Sequence, residues 1–165
     1  MDCGRAAPQR RGCHRSHQGN HRRRTLFKLS YPAAEIALIC SNFEESFRFY
    51  HDLLGMDVTM EMQVPDDLAR QVGLAPSGFR QVRLRAGDTI LKLAALPEPP
   101  PTPSAEFRAG VRWITFLVED IEATVAEMKG RGVKFLSEPV PAPDAVGVVC
   151  APDPDGVLIE LVQRR

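Results

Sequence analysis

Two charged side chains stand out because they lie in strand patterns that are otherwise apolar. Lys92 and Glu160 each alternate with apolar residues, Ile90 and Ala94 around the lysine and Leu158 and Val162 around the glutamate. Alternate residues of a strand share one face, so each charge has apolar neighbours. A carboxylate in such a place can move a proton, and an ammonium can stabilise an oxyanion. A cavity wall explains these charges better than open surface does, and the alternative is an edge strand whose charge discourages aggregation.

The elements that must position these charges occur twice along the chain. Residues 35–55 and residues 113–132 each read as an alternating apolar strand, a short polar turn and an amphipathic helix that ends at a glycine. Glu35 and Trp113 therefore hold equivalent places in the two copies. Each copy continues into a hairpin and a closing strand, AGDTILKLAAL in the first and DPDGVLIELVQ in the second. We predict two modules, each with the order strand, helix, strand, strand, strand.

Turn residues divide the later part of each module into its strands. In the first module the segment PDDLARQVGLAPSG predicts a short helix and a loop, which either covers a pocket or connects two strands. In the second module we expect a short strand at residues 133–136 and a loop over the proline-bearing EPVPAPD. Strands at residues 146–150 and 157–163 follow it.

The first thirty residues differ from the rest of the chain. They contain eight Arg and Lys residues against Asp2 alone and show little apolar periodicity. We predict that residues 1–30 form a disordered Arg- and His-rich tail. A mitochondrial transit peptide has this composition, and an extension without function is an equal alternative. The predicted domain covers residues 31–165, with module one at 33–96, a Pro-rich linker at 97–110 and module two at 111–163.

Composition argues against several classes of protein. Basic and acidic residues balance at 21 each, and the basic tail leaves an acidic body, which does not suit a nucleic-acid partner. No apolar run approaches the roughly 20 residues of a membrane span, so we expect no membrane partner. The four cysteines form no C-x-x-C pair. We expect a cytoplasmic protein, or a mitochondrial one if the tail is a transit peptide.

The paired modules resemble the vicinal oxygen chelate superfamily of glyoxalases, methylmalonyl-CoA epimerases, extradiol dioxygenases and bleomycin resistance proteins. SFRFYHDLLGM in the first module and the closing DPDGVLIEL carry the resemblance, which extends from Glu35 to Gln163. It implies an α+β fold in which two βαβββ modules form cupped, partly open mixed sheets. It also implies a homodimer. The expected binding partner of this dimer is a small-molecule ligand or substrate.

In metal-dependent members the resemblance implies four ligand positions, one on the first and one on the last strand of each module. They fall on Glu35, Lys92, Trp113 and Glu160. Tryptophan cannot bind a metal and a lysine ammonium repels one, so we expect no cofactor. The alternative is a divalent Zn²⁺, Ni²⁺ or Mn²⁺ ion held by Glu35 and Glu160. His51 is the single histidine of the body, which leaves no iron site of two histidines and one carboxylate.

Two functions remain from these residues. The first is a glyoxalase-like lyase or isomerase of a small oxygenated molecule, with Glu35 or Glu160 as the catalytic base beside a carbonyl and Lys92 replacing the metal's charge. A Glu-Lys-Glu ion-pair network that only shapes the cavity is the competing interpretation. The second function is metal-free binding or sequestration, as in bleomycin resistance proteins. Trp113 would then stack on the ligand and Arg83 would hold its carboxylate or phosphate, unless Trp113 fills the core and Arg83 is solvated.

Overall fold

The structure is a computed structural model that describes residues 30–31, 33–102 and 110–165. The chain divides into two units, Met1–Pro32 and Ala33–Arg165. Residues 1–29 of the predicted tail and residues 103–109 of the predicted linker lie outside the described residues. The second unit contains β1 (Glu35–Ile39), α1 (Phe43–Phe47), a π-helix (Arg48–Leu53), β2 (Asp57–Val64), α2 (Asp66–Gln71), β3 (Phe79–Ala86), β4 (Thr89–Ala95), β5 (Trp113–Leu117), α3 (Ile121–Gly130), β6 (Val140–Ala142), β7 (Ala145–Pro152) and β8 (Leu158–Arg164).

The strands form two four-stranded mixed sheets that do not close. The first sheet has the order β1-β4-β3-β2 and the second has the order β5-β8-β7-β6. In each module the first and last strands pair in parallel and the other pairs are antiparallel. The registers correspond, because Ala37 lies opposite Lys92 in one sheet and Thr115 lies opposite Glu160 in the other. The predicted α+β fold of two βαβββ modules is confirmed.

A polar side chain caps the first helix of each module, where the short polar turn was predicted. The Asn42 side chain accepts a hydrogen bond from the Glu45 N–H, and the Asp120 side chain accepts one from the Ala123 N–H. The first helix changes after α1 into the π-helix, which buries Tyr50. No described helix combines the length and the apolar character that crossing a membrane requires.

The expected strand at residues 133–136 is wrong, and the expected EPVPAPD loop contains β6 instead. Residues 133–136 form no strand, although the Leu136 N–H at their end donates a hydrogen bond to the Cys150 carbonyl of β7 at 2.9 Å. β6 is the edge strand of the second sheet and pairs with β7 alone. An edge strand tolerates a proline because one row of its backbone groups faces no neighbour. Pro141 therefore does not prevent β6 from forming.

One face of each sheet packs into a shared hydrophobic core. Its most buried large side chains come from both modules and are Tyr50, Leu84, Leu91, Leu93, Ile121 and Ile159. Strand alternation then places the intervening residues on the opposite face of each sheet. We call the opposite face of the first sheet the first open face; it includes Glu35, Ala37, Ile39, Met60, Met62, Gln81, Arg83, Arg85, Ile90 and Lys92. The second open face includes Trp113, Thr115, Leu117, Val146, Val148, Cys150, Leu158, Glu160 and Val162.

Buried polar contacts join the two modules at the turn before β8. The Tyr50 hydroxyl donates to Asp153 Oδ2 at 2.7 Å, and the Ser41 N–H donates to Asp155 Oδ1 at 3.2 Å. Burial raises the pKa of Asp153, although the hydrogen bond from Tyr50 opposes that shift. Burial and then the nearby Asp153 charge raise the pKa of Tyr50, so its proton stays in place. The turn DPDG thus fixes module two against the first helix of module one.

Candidate functional site

Each open face carries two of the four positions that the sequence singled out. On the first open face the Lys92 Nζ lies 2.6 Å from Glu35 Oε2. On the second, the Thr115 hydroxyl donates to Glu160 Oε2 at 2.5 Å, and Trp113 lies on the same strand as Thr115. Among the described residues no hydrogen bond or ion pair connects one pair with the other. A single chain therefore does not form the Glu-Lys-Glu cluster.

The first open face is charged and its charges interact. The hydrogen bond from the Lys92 ammonium lowers the pKa of Glu35, and the charges of Lys92 and Arg83 lower it further. Arg83 lies directly opposite Lys92 across β3 and β4. Its Nε donates to Gln81 Oε1 at 3.4 Å, a long hydrogen bond. The Lys92 side chain is 24% exposed, so this charge is half-buried within the face.

The second open face is mainly apolar and exposed. Trp113 and Leu117 are each 55% exposed, so Trp113 does not fill the core. Cys150 lies opposite Glu160 across β7 and β8. Partial burial raises the pKa of the Cys150 thiol, and the Glu160 charge adds to the effect. The face therefore combines an exposed indole with one carboxylate among aliphatic side chains.

The helix α2 covers one end of the first open face. Ala69 of α2 is fully buried and packs with Val64 and Phe79, which belong to that face. The Asp66 carboxylate accepts a hydrogen bond from the Gly78 N–H at 2.7 Å, and this contact joins the two ends of the segment. A Cβ atom at Gly78 would lie 2.6 Å from the Val64 carbonyl oxygen, so this position requires glycine. The segment therefore connects β2 to β3 and packs on one end of the sheet, and its role as the cover of a pocket stays a prediction.

The residues at the four positions do not fit a divalent metal ion. The Lys92 ammonium and the Trp113 indole offer no lone pair, and the Glu35 carboxylate is paired with Lys92. In the part of the chain that the structure describes, no three His, Cys, Asp or Glu side chains form a group that could hold an ion. His51 instead has its Nδ1 at 2.7 Å from the Met56 carbonyl oxygen, at the end of the π-helix. No chemical step is therefore assigned to a metal.

Three clefts lie where the modules meet, and the sequence did not predict them. Their volumes are about 360, 350 and 300 Å³. The first and third are both lined by Asp153, whose buried position follows from the DPDG turn. Glu35, Lys92, Trp113 and Glu160 line none of these three clefts. The third cleft reaches Ala37 and Ile39 at the edge of the first open face, but none of the four positions lines it.

Paired βαβββ modules with a core on one face and chemical groups on the other define a glyoxalase-like protein. The family model described as Glyoxalase/Bleomycin resistance protein/Dioxygenase superfamily matches residues 33–161, and the chain belongs to that superfamily. The resemblance stated from the sequence is confirmed.

Similar proteins agree with this assignment. The uncharacterized protein YaeR of Escherichia coli strain K12 is 29% identical over 129 residues, which cover 78% of this chain and 93% of YaeR. A glyoxalase family protein of Bacillus cereus has a TM-score of 0.65 at 18% identity and covers 86% of this chain and 98% of its own. TnmS3, an antibiotic binding protein from Streptomyces sp. CB03234, has a TM-score of 0.59 at 22% identity and covers 84% and 100%. The two structures show the shared fold.

Proposed function

We propose that this chain binds or sequesters a small molecule on its open faces without a metal cofactor. The observation that supports this most strongly is the position of Trp113, 55% exposed beside the equally exposed Leu117. Covering the exposed part of a tryptophan removes on the order of 100 Å² from water, worth ~2–3 kcal/mol before the costs of binding. A planar ligand that stacks on the indole would gain this free energy.

The charges of the first open face support binding more than proton transfer. A general base works best when its pKa is close to the operating pH. The hydrogen bond from Lys92 moves the pKa of Glu35 in the opposite direction. The same ion pair balances the positive charge of Lys92 with the Glu35 carboxylate. The ammonium is therefore less able to stabilise an oxyanion. Small-molecule binding also has a precedent on this fold in the antibiotic binding protein TnmS3.

A homodimer is part of the proposal. Leu117 and Val140 are both more than half exposed, and the second open face carries the acidic Glu160. The first open face carries Arg83 and Lys92, so the charges of the two faces are complementary. A second copy could therefore place Glu160 near Lys92, which one chain does not do. We further propose a cytoplasmic setting, with a small molecule as ligand and with neither nucleic acid nor membrane as partner.

The second candidate is a lyase or isomerase in which Glu160 moves a proton next to a carbonyl. It is favoured because Glu160 has no ion-pair partner among the described residues and accepts a hydrogen bond from Thr115. Replacing Glu160 by Gln should then abolish turnover of any substrate found by screening, while the fold is retained. Unchanged turnover in Glu160→Gln would exclude this residue as the base.

Fluorescence of the single tryptophan tests the binding proposal directly. Titration with a panel of planar drug-like compounds should quench the emission of Trp113 to saturation for at least one compound. Calorimetry on Trp113→Ala should then show at least about a tenfold weaker affinity, because the stacking surface is lost. Trp113→Phe is the matched control and should keep most of the affinity. A flat response across the panel would overturn the proposal.

A further inference from the structure

We infer that the first open face selects an amphipathic anion, with the ligand's anionic group at Arg83 and its apolar body lying towards α2. The inference rests on the proposed binding function, because it names the class of molecule that the same faces would take. Two observations support it: no carboxylate pairs with Arg83 among the described residues, and the apolar side chains next to Arg83 continue towards α2.

Positive charge exceeds negative charge around Arg83. Arg83 and Lys92 face each other across β3 and β4, and the single carboxylate beside them, Glu35, lies 2.6 Å from the lysine. Among the described residues no carboxylate lies within ion-pair distance of Arg83, whose Nε reaches Gln81 Oε1 only at 3.4 Å. A guanidinium presents paired N–H donors that match a carboxylate or phosphate. A bound anion would therefore balance the positive charge of Arg83, which Glu35 does not balance because it pairs with Lys92.

The neighbours of Arg83 give the ligand a direction. Met60 lies opposite Arg83 on β2 and is 47% exposed, and Met62 follows on the same face towards α2. Methionine side chains adapt their shape to an apolar partner. In the other direction along the sheet the next pair is Arg85 and Asp57, which are both polar. An apolar body attached to the anion would thus lie over the methionines.

The cover formed by α2 limits the length of that body. Ala69 packs on Phe79, which is four residues from Arg83 along β3. Between these two residues Gln81 is only 8% exposed, and Met62 packs against the same cluster as Ala69, so the uncovered stretch ends about two residues from Arg83. At about 3.3 Å per residue this stretch is roughly 7 Å long. A single ring system fits this space, and an acyl chain of about eight carbons fits if it bends over the exposed Met60. A much longer chain would have to displace α2.

Two probes that share one ring system test the inference. The anionic probe is 8-anilinonaphthalene-1-sulfonate and the neutral one is N-phenyl-1-naphthylamine, each followed by its fluorescence on binding to the full chain. Wild type should bind the anionic probe at least about tenfold more tightly, since a hydrogen bond to a charged group contributes on that scale. Arg83→Gln should remove this preference. Arg85→Gln removes the same charge from the same face of the same strand and should retain it.

A further variant tests whether the paired donors of Arg83 matter, and competing ligands test whether the anionic group matters. Arg83→Lys keeps the charge but loses the paired donors, so it should show an intermediate preference, and it replaces Arg83→Gln if that variant fails to fold. Octanoate and octyl phosphate should displace the anionic probe while octanol does not, and the stronger of the two acids identifies the head group.

The results separate this inference from the proposed function. Equal affinity of wild type for both probes, or equal loss in the Arg83 and Arg85 variants, would overturn the inference and leave small-molecule binding intact. Displacement by octanol as strong as that by the acids would overturn it as well. If neither probe binds and planar compounds also leave Trp113 unquenched, both proposals fail together.

Discussion

The two open faces share a strand register but differ in chemistry and in cover. Ala37 with Lys92 in the first sheet corresponds to Thr115 with Glu160 in the second. On the first face the lysine is paired with Glu35 and one end is covered by α2. On the second face the place of Glu35 is taken by Trp113, which is 55% exposed. One scaffold thus supports a charged, partly covered face and a bare, aromatic one.

This difference shows where the specificity of such a scaffold resides. The strands and their pairing set the positions, whereas the side chains at those positions and the segment inserted before β3 set the chemistry. A molecule that contacts both kinds of face would need a planar part for Trp113 and an anionic part for Arg83. Substitutions can change the two faces at the α2 cover, at the junction between the modules and at the Glu35–Lys92 ion pair, and we expect their effects to decrease in that order.

The largest effect is expected from Ala69→Asp in α2. Ala69 is fully buried against the first sheet, and an unpaired carboxylate there costs at least roughly 2 kcal/mol. We expect α2 to detach, so that hydrogen exchange in residues 66–78 loses its protection while the second sheet keeps its own. Gln71→Asp, at an exposed position of the same helix, is the control and should change little. Unaltered protection in Ala69→Asp would mean that α2 is not held by this contact.

A smaller, pH-dependent effect is expected at the junction from Asp153→Asn. Burial raises the pKa of Asp153 above its ordinary value of 3.8, so the folded state binds the proton more tightly than the unfolded state. The associated stability is fully present below pH 3.8 and is lost as pH rises through the raised pKa. Each tenfold difference in proton affinity between the folded and unfolded states contributes about 1.4 kcal/mol. Because asparagine does not titrate, urea unfolding from pH 3.5 upward should show the wild type losing stability relative to the variant.

The Asp153 variant also has an informative negative result. A constant difference in unfolding free energy between wild type and Asp153→Asn at every pH would mean that Asp153 titrates alike in both states. Tyr50→Phe is the companion variant, since it removes the hydroxyl that donates to Asp153. It should raise the pKa of Asp153 further, because the hydrogen bond that lowers it is gone.

The smallest effect is expected at the ion pair from Lys92→Met. Removing the ammonium removes the hydrogen bond that lowers the pKa of Glu35, so this pKa should rise towards its ordinary value. Carboxyl carbon chemical shifts measured against pH would detect the change. The thermal midpoint should hardly move, because exposed ion pairs contribute little to stability. Lys134→Met removes the same charge from module two and should leave the titration of Glu35 as it was.

Much of the fold could be read from the chain because local signals agreed with the global arrangement. Alternation defined β1, β4, β5 and β8 within a few residues, and Asn42 and Asp120 cap the helices that follow β1 and β5. The strand predicted at residues 133–136 failed because its apolar residues also suit a loop that packs on the core, as the buried Val133 does. β6 was missed because the prolines of EPVPAPD suggested a loop, and the edge position of β6 makes Pro141 acceptable.

For the candidate site, strand alternation predicts which residues share a face, because a strand reverses its side chains at every residue. It puts Glu35, Lys92, Trp113 and Glu160 at equivalent strand positions and leaves open whether Trp113 fills the core. The packing of the elements sets which of these residues meet, which are covered and which stay exposed. Lys92 reaches Glu35 and not Glu160, α2 closes one end of one face, and Trp113 stays exposed. These outcomes depend on how separate elements pack, and contacts between residues far apart in the chain leave no mark on local periodicity.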